Sequence, residues 1–176
     1  RDPKLSKEYV ALSAHWDHLG VGTPVNGDSI YNGAFDNASG VATILAIARS
    51  AVAREPRPKR SLLFAFVTAE ESGLLGSAYF AQNPTVPLSQ IAANVNVDET
   101  NFVGPTRDVV LLGLDKSSLG PTLAAMLKPE GIAVMPKEHP ERGHFYRSDH
   151  FSLAKAGVPS VSIESGTGFV GKPKGW

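Results

Sequence analysis

SLLFAFVTAEESGLLGS (residues 61–77) is the most informative stretch of this sequence. Segment 61–67 is almost entirely apolar, which is typical of a strand covered on both faces of a parallel sheet. It leads into two adjacent acids, Glu70 and Glu71, and each carboxylate costs free energy if it leaves water without a partner. Neighbouring side chains on an extended backbone point to opposite sides. We therefore expect the two glutamates to have different roles, with partners from elsewhere in the chain.

Strands and helices alternate along the rest of the chain. Segment 40–53 has apolar residues at helical spacing, whereas 91–97 and 108–114 are short apolar runs typical of strands. Strands are predicted at 8–16, 61–67, 91–97, 108–114, 132–136 and 158–164, and helices at 40–53, 73–82, 119–128 and 148–157. This alternation predicts an α/β fold, a three-layer sandwich with a central, largely parallel mixed sheet. In such folds the ligand binds beyond the carboxyl ends of the strands.

The composition argues against several classes of protein. The 176 residues include 17 Lys and Arg against 17 Asp and Glu, with no basic block, which gives no support for binding nucleic acid or a membrane surface. The longest apolar runs fall far short of a membrane span. The sequence has no cysteine, so disulfides and thiolate metal sites are excluded. Any metal must be bound by His, Asp or Glu.

Acidic and imidazole side chains lie close to the carboxyl ends of the predicted strands. They are His15, Asp17 and His18, Asp36 with Asn37, Glu70 with Glu71, Asp98 with Glu99, and Asp149 with His150. Because the carboxyl ends of parallel strands meet at one edge of a sheet, we expect these side chains to converge. Imidazole and carboxylate without thiolate suit zinc, and cobalt or manganese can substitute. The number of ligands fits two ions about 3.5–4 Å apart, which a carboxylate such as Asp36 can bridge.

Each of these residues also has a purely structural explanation. Asp36 and Asn37 can cap the helix that follows, and Asp149 can cap the helix at 148–157. Asp98 and Glu99 suit a turn, and either glutamate of the pair at 70–71 can bind a surface cation. We interpret the remaining histidines, His18, His139 and His144, as structural. The metal site is preferred because all the structural explanations would have to hold together at one end of one sheet.

Five segments of the chain resemble the di-zinc aminopeptidases related to glutamate carboxypeptidase, glutaminyl cyclase and the transferrin receptor ectodomain. The segments are SAHWDHLG (13–20), AFDNASG (34–40), VTAEESGLLGS (67–77), NVDE (96–99) and RSDHFSLAKAGVPSVSIESG (147–166). They occur in the order found in that family, and the resemblance covers about residues 8–168. It implies that His15 and Asp98 bind one zinc ion, that Glu71 and His150 bind the other, and that Asp36 bridges the two. It also implies a cis peptide between Asp36 and Asn37.

The resemblance implies a metallo-exopeptidase, in particular an aminopeptidase acting on peptides with a free N-terminus. A zinc-bound water would attack the peptide carbonyl, with Glu70 as the general base that takes its proton. Asp17 would orient His15 by accepting a hydrogen bond from its ring. The chain is interpreted as one catalytic domain, residues 1–176, that lacks the terminal segments of the family. The resemblance further implies export from the cell.

Three points stay open at this stage. A carboxypeptidase or dipeptidase needs a cation for the terminal carboxylate, and Arg142 and Arg147 are candidates. A glutaminyl cyclase or a non-catalytic, receptor-like binding module are further alternatives, although every ligand position and Glu70 are present. Three aromatic residues either line an apolar substrate pocket or pack in the interior, namely Phe145, Tyr146 and Phe169.

Overall fold

The computed structural model describes residues 2–173, which form a central sheet flanked by helices. The strands are β1 (Tyr9–His15), β2 (Gly20–Val25), β3 (Asp28–Tyr31), β4 (Ser61–Val67), β5 (Ile91–Val97), β6 (Asp108–Leu112), β7 (Ala133–Met135) and β8 (Ser160–Ser165). The α-helices are α1 (Ala38–Ala53), α2 (Leu75–Gln82), α3 (Leu119–Leu127) and α4 (His150–Lys155). None of the helices among residues 2–173 is long and apolar enough to cross a membrane.

The central sheet has six strands in the order β4-β1-β5-β8-β6-β7. Strands β4, β1, β5 and β8 are parallel to one another, whereas β6 runs antiparallel to β8 and parallel to β7. The sheet is therefore mixed but largely parallel, as predicted. The carboxyl ends of its four parallel strands meet at one edge.

Helices cover both faces of this sheet. On one face, Ile44 of α1 packs with Leu12 of β1. On the other face, Leu153 of α4 packs with Ala11 of β1, and Phe80 of α2 lies against the same cluster. Successive residues of β1 face opposite layers, as the pleat of a strand requires. The predicted three-layer sandwich is thus confirmed.

Helix α1 begins at the carboxyl edge because of its cap, Asn37. The Asn37 side chain accepts a hydrogen bond from Gly40 N at 3.0 Å and donates one to the Val97 carbonyl, also at 3.0 Å. A Cβ atom at position 40 would lie 2.3 Å from the Asn37 oxygen and 2.5 Å from the Val97 oxygen, so only glycine fits there. The cap holds Asp36 beside the end of β5. The Asp36–Asn37 peptide is cis, as the resemblance implied.

The predicted elements agree with the structure to within a few residues, except for one hairpin. Segments 61–67 and 91–97 are correct to the residue, whereas the helix predicted at 148–157 spans only 150–155. The hairpin of β2 and β3 was not predicted. Strand β2 is exposed along its whole length, so it has no alternation of buried and exposed residues to detect. The available signal is its turn, where Asn26 and Gly27 have φ values of 52° and 87°.

Candidate active site

Three of the predicted ligands meet at the carboxyl edge of the sheet. His15 ends β1, Asp98 follows β5, and Asp36 precedes α1. The Nε2 atom of the buried His15 ring lies 3.2 Å from Asp36 Oδ1 and 3.2 Å from Asp98 Oδ1. One nitrogen and two carboxylate oxygens this close together form a donor set that suits zinc. We call these three residues the first group.

A second group, formed by His18, Asp36 and Glu71, shares one residue with the first. Asp36 Oδ2 lies 3.9 Å from His18 Nδ1, which in turn lies 2.7 Å from Glu71 Oε1. Within each group, the candidate donor atoms all lie within 4.8 Å of one another. Asp36 therefore directs one oxygen to each group, which is the arrangement expected of a carboxylate that bridges two ions.

His150 is the residue that the resemblance pairs with Glu71 at one ion, and its surroundings differ from those of His18. His150 belongs to neither group, because it begins α4, where its fully buried ring packs edge-on against Phe145 with the ring centroids 5.0 Å apart. Neither ring nitrogen has a hydrogen-bond partner among the described residues. Burial lowers the pKa of His150 to about 4, so the ring is neutral at pH 7. The imidazole beside Glu71 is His18, which the sequence analysis interprets as structural.

The side chains of Glu70 and Glu71 point in different directions because the backbone turns at this point, and not because it is extended. Strand β4 ends before them, and the Glu70 carbonyl accepts two backbone hydrogen bonds from the turn that follows. Glu71 then faces His18, whereas Glu70 lines a pocket together with Asp36 and Asp98. The side chains therefore have different surroundings, as predicted, although the backbone between them is not extended.

Glu70 has the electrostatic setting of a base that works near neutral pH. Burial raises the pKa of its carboxyl to about 8; the His15 imidazole acts in the opposite direction, and the charges of Asp98, Asp149 and Glu71 act with burial. A carboxyl group with a pKa near the working pH can both accept and release a proton. Its place in the pocket, beside Asp36 and Asp98, is the position in which the resemblance implies a general base.

Asp17 holds both His15 and Glu70 in place. His15 Nδ1 donates a hydrogen bond to the Asp17 carbonyl oxygen at 3.1 Å, while Asp17 Oδ1 lies 3.6 Å from the same nitrogen. The Asp17 carboxylate accepts from the backbone N–H of Glu70 at 3.2 Å. The predicted bond from the His15 ring thus goes to the main chain of Asp17 rather than to its carboxylate. It leaves Nε2 of His15 facing Asp36 and Asp98.

The charges of the first group suit a bound cation. Burial alone would lower the pKa of His15, but its hydrogen bond to Asp98 and the charges of Asp98 and Glu70 raise it to about 9. Burial raises the pKa of Asp36, and the nearby carboxylates Glu71 and Asp98 raise it further. A metal ion between these side chains would take the place of the His15 proton and offset the repulsion between the carboxylates. The residues present therefore fit a metal centre.

A chain of buried hydrogen bonds supports Asp98 from behind. Ser148 Oγ donates to Asp98 Oδ2 at 2.6 Å and accepts from Asn96 Nδ2 at 2.8 Å. Ser13 in turn donates to Asn96 Oδ1 at 2.8 Å. Burial would raise the pKa of Asp98, but the hydrogen bonds from His15 and Ser148 outweigh it and hold this pKa below its usual value. Neither Asn96 nor Ser148 is among the predicted site residues, although an asparagine inside an apolar strand is a visible signal.

The pocket beside the two groups has a volume of about 620 Å³. Asp36, Glu70 and Asp98 line it, as do Lys137 and Glu164. Arg147, one of the two arginines considered for a terminal carboxylate, also lines this pocket. Arg142 lies outside it, and its carbonyl accepts a hydrogen bond from Arg147 at 2.7 Å.

The three aromatic residues predicted for the substrate pocket do not line it. Phe145 and Tyr146 line an adjoining cavity of about 320 Å³. Phe169 forms an isolated β-bridge with Thr106. The aromatic residue that does line the site pocket is Phe35, directly before Asp36.

Comparison with known proteins gives relatives over most of this chain. Leucine aminopeptidase 1 of Emericella nidulans is 28% identical over 177 residues, which is 95% of this chain and 44% of that protein. Leucine aminopeptidase 1 of Grosmannia clavigera is 30% identical over 173 residues, or 93% of this chain and 41% of the relative. Leupeptin-inactivating enzyme 1 of Streptomyces exfoliatus is 31% identical over 147 residues, which cover 81% of this chain and 32% of that enzyme. The chain spans less than half the length of these relatives.

Solved structures share the fold. The LapA aminopeptidase of Legionella pneumophila superposes with a TM-score of 0.71 at 23% identity, over 93% of this chain and 42% of that one. A zinc aminopeptidase of Bacillus subtilis superposes with a TM-score of 0.66 at 23% identity, over 98% of this chain and 41% of that one. A glutaminyl cyclase of Porphyromonas gingivalis superposes with a TM-score of 0.66 at 24% identity, over 96% of this chain and 64% of that one. The model of peptidase family M28 matches residues 1–174, and the chain belongs to this family.

Proposed function

We propose that this chain is the catalytic part of a zinc-dependent aminopeptidase, which releases the N-terminal residue of peptides. The observation that carries the proposal is the double use of Asp36, whose two oxygens face two imidazole–carboxylate groups beside the pocket that Glu70 lines. The aminopeptidase names of the relatives support the reaction class. The pocket, open beside these groups, has room for the end of a peptide.

Two ions would bind through residues already close together. His15 and Asp98 would hold the first ion, His18 and Glu71 the second, and Asp36 would touch both. These nitrogen and oxygen donors favour zinc and accept cobalt or manganese. When bound, such a pair supplies a water of lowered pKa and a Lewis acid for the peptide carbonyl.

The residues of the chain then carry the proton. Glu70 takes a proton from the attacking water and returns it to the leaving amine, which needs a carboxyl that changes protonation near neutral pH. Asp17 fixes the turn that presents Glu70, through its hydrogen bond to the Glu70 N–H. Asp17 also orients His15, through the main-chain bond to Nδ1. Asp98 is kept ionised by His15 and Ser148 and so stays available as a ligand.

The test separates the two glutamates. We expect Glu70→Gln to keep both ions and to lose about 10²–10⁴-fold in turnover of aminoacyl-anilides, because it removes a base but no ligand. Glu71→Ala should lose one ion. Elemental analysis of the purified variants gives the metal content. Equal zinc loss in both variants would contradict the division of roles.

A carboxypeptidase or dipeptidase is the second candidate, and the position of Arg147 favours it. Arg147 lines the site pocket and could bind a terminal carboxylate. Peptides blocked at the N-terminus and peptides blocked at the C-terminus distinguish the two functions. An aminopeptidase cleaves only the peptides with a free amine, and Arg147→Gln then leaves cleavage of C-terminally blocked peptides unchanged.

A further inference from the structure

Apart from the metal-binding groups, the wall of the site pocket is largely polar. Ser162 and Glu164 project from the same face of β8, and Lys137 comes from the loop after β7. Leu112 and Phe35 are the only apolar side chains among the described residues that line this pocket. Substrate pockets are usually lined mainly by apolar side chains. This wall would therefore surround a substrate side chain with hydrogen-bonding groups.

An ion pair forms part of this wall. Lys137 Nζ lies 2.5 Å from Glu164 Oε2, and the two side chains are 29% and 28% exposed. Strand β6 lies between β7 and β8, so the pair spans the strand that separates them. An aliphatic substrate side chain placed against the pair would remove water from both charges without replacing its hydrogen bonds. A hydroxyl, amide or charged side chain would replace those hydrogen bonds.

Lys137 also lies at the boundary between the pocket and an apolar space. The adjoining cavity of about 320 Å³ is lined by Leu111, Leu114, Phe145 and Tyr146, and Lys137 lines both cavities. Leu112 and His144 line both cavities as well, so a leucine side chain that reaches the apolar cavity would cross a boundary formed in part by an ammonium group and an imidazole.

We infer that this pocket selects peptides whose N-terminal residue has a polar side chain, and that the Lys137–Glu164 pair is the specificity determinant. The inference rests on the proposed aminopeptidase function and names its substrate class. It sets this chain apart from what the name leucine aminopeptidase says of its relatives.

The test replaces the ion pair by apolar residues of similar size. The double variant Lys137→Met, Glu164→Leu removes both charges together, since removing one alone would leave the other unpaired. The matched control is Glu8→Leu, Arg60→Met, which removes an ion pair of 2.8 Å at the opposite edge of the sheet. Values of kcat/KM are measured for the 4-nitroanilides of leucine, glutamine, lysine and glutamate.

The unchanged chain should prefer one or more of the polar anilides over leucine, and the double variant should shift that ratio at least tenfold toward leucine. The control should leave the ratio as it was. A preference for leucine in the unchanged chain would point to the adjoining apolar cavity and overturn the inference. An unchanged ratio in the double variant would overturn it as well.

Calorimetric binding of the free amino acids gives a readout without turnover. Tighter binding of glutamine, lysine or glutamate than of leucine, lost in the double variant, would support the selectivity even if no anilide is hydrolysed. In that case the proposed function fails and the selectivity stands. If all the anilides are hydrolysed but free leucine binds more tightly than the polar amino acids, the proposed function stands and the selectivity fails.

Discussion

At the scale of single residues, the site depends on how carboxylates are divided between tasks. Asp36 turns one oxygen to His15 and the other toward His18, so one side chain joins two groups. Asp98 uses one oxygen toward His15 and gives the other to Ser148. Asp98 therefore has one oxygen held by the protein and the other aimed at the site, whereas both oxygens of Asp36 face the site.

The two histidines that compete for the second group give a clear prediction. We expect His18→Ala to lose one of two zinc ions, because it removes the only imidazole that the described residues place beside Glu71. We expect His150→Leu to keep both ions and to be as stable as the parent, since it replaces a buried ring without hydrogen-bond partners. Elemental analysis and urea unfolding measure both effects. Loss of an ion in His150→Leu alone would restore the assignment implied by the resemblance.

Ser148 should matter through Asp98 rather than through substrate. Ser148→Ala removes the 2.6 Å hydrogen bond to Asp98 and leaves the buried Asn96 amide without one of its acceptors. We expect zinc affinity to fall about 10–100-fold, as measured by competition with a chelating dye. The control is Ser152→Ala, because Ser152 bonds to Ser77 and to none of the proposed ligands. Equal zinc affinity in the parent and in Ser148→Ala would show that Asp98 needs no such support.

At the scale of elements, the strands could be predicted from the sequence better than the contacts between the loops that follow them. Buried strands such as 61–67 are continuous apolar runs, so their pattern is local and readable. The partner of Glu71 is not local, because His18 is brought to it by the loop after β1, 53 residues earlier. The position of the His150 ring is not local either, because the packing of α4 places it against Phe145. Long-range geometry of this kind leaves no periodic signal in one sequence.

The entry to α1 offers a test at this scale. In Gly40→Ala the added carbon would lie 2.3 Å from the Asn37 oxygen, so the cap that holds Asp36 must move. We expect a loss of about 2–4 kcal/mol in the free energy of unfolding and weaker binding of both ions. Ser50→Ala, at an exposed position on the same helix, should change neither quantity. Chemical unfolding combined with zinc titration is the measurement, and unchanged zinc binding in Gly40→Ala would mean that the cap does not position Asp36.

At the scale of the whole molecule, one edge of the sheet gathers charges that the rest of the fold must accommodate. His15 and Glu70 are largely withdrawn from water there and hold protons more tightly than they would in an unfolded chain. The sheet can hold these groups together because α1 and α4 cover its two faces and leave the edge open. Without a metal ion, a shared proton is the natural substitute for the missing positive charge.

This proton makes the stability of the metal-free chain depend on pH. The pKa of His15 rises from 6.5 to about 9 on folding, and that of Glu70 from 4.5 to about 8. A raised folded-state pKa gives stability that is present below the unfolded value and lost as the pH rises through the folded value. Both groups act in the same direction above pH 6.5. We expect the proton on His15 alone to lower the free energy of unfolding by about 2–3 kcal/mol between pH 6.5 and 9, and Glu70 to add to this loss up to about pH 8.

Urea unfolding in the presence of a chelator, at several pH values from 6 to 9, measures this loss. His15→Gln should flatten the dependence, because it removes the group whose pKa is the higher of the two. Added zinc should reverse the trend, since metal ligands must lose their protons and the stabilisation by metal grows as the pH rises. A metal-free chain that becomes more stable between pH 6.5 and 9 would mean that the proton is not held between His15 and its carboxylates, and the first group would then need another source of positive charge.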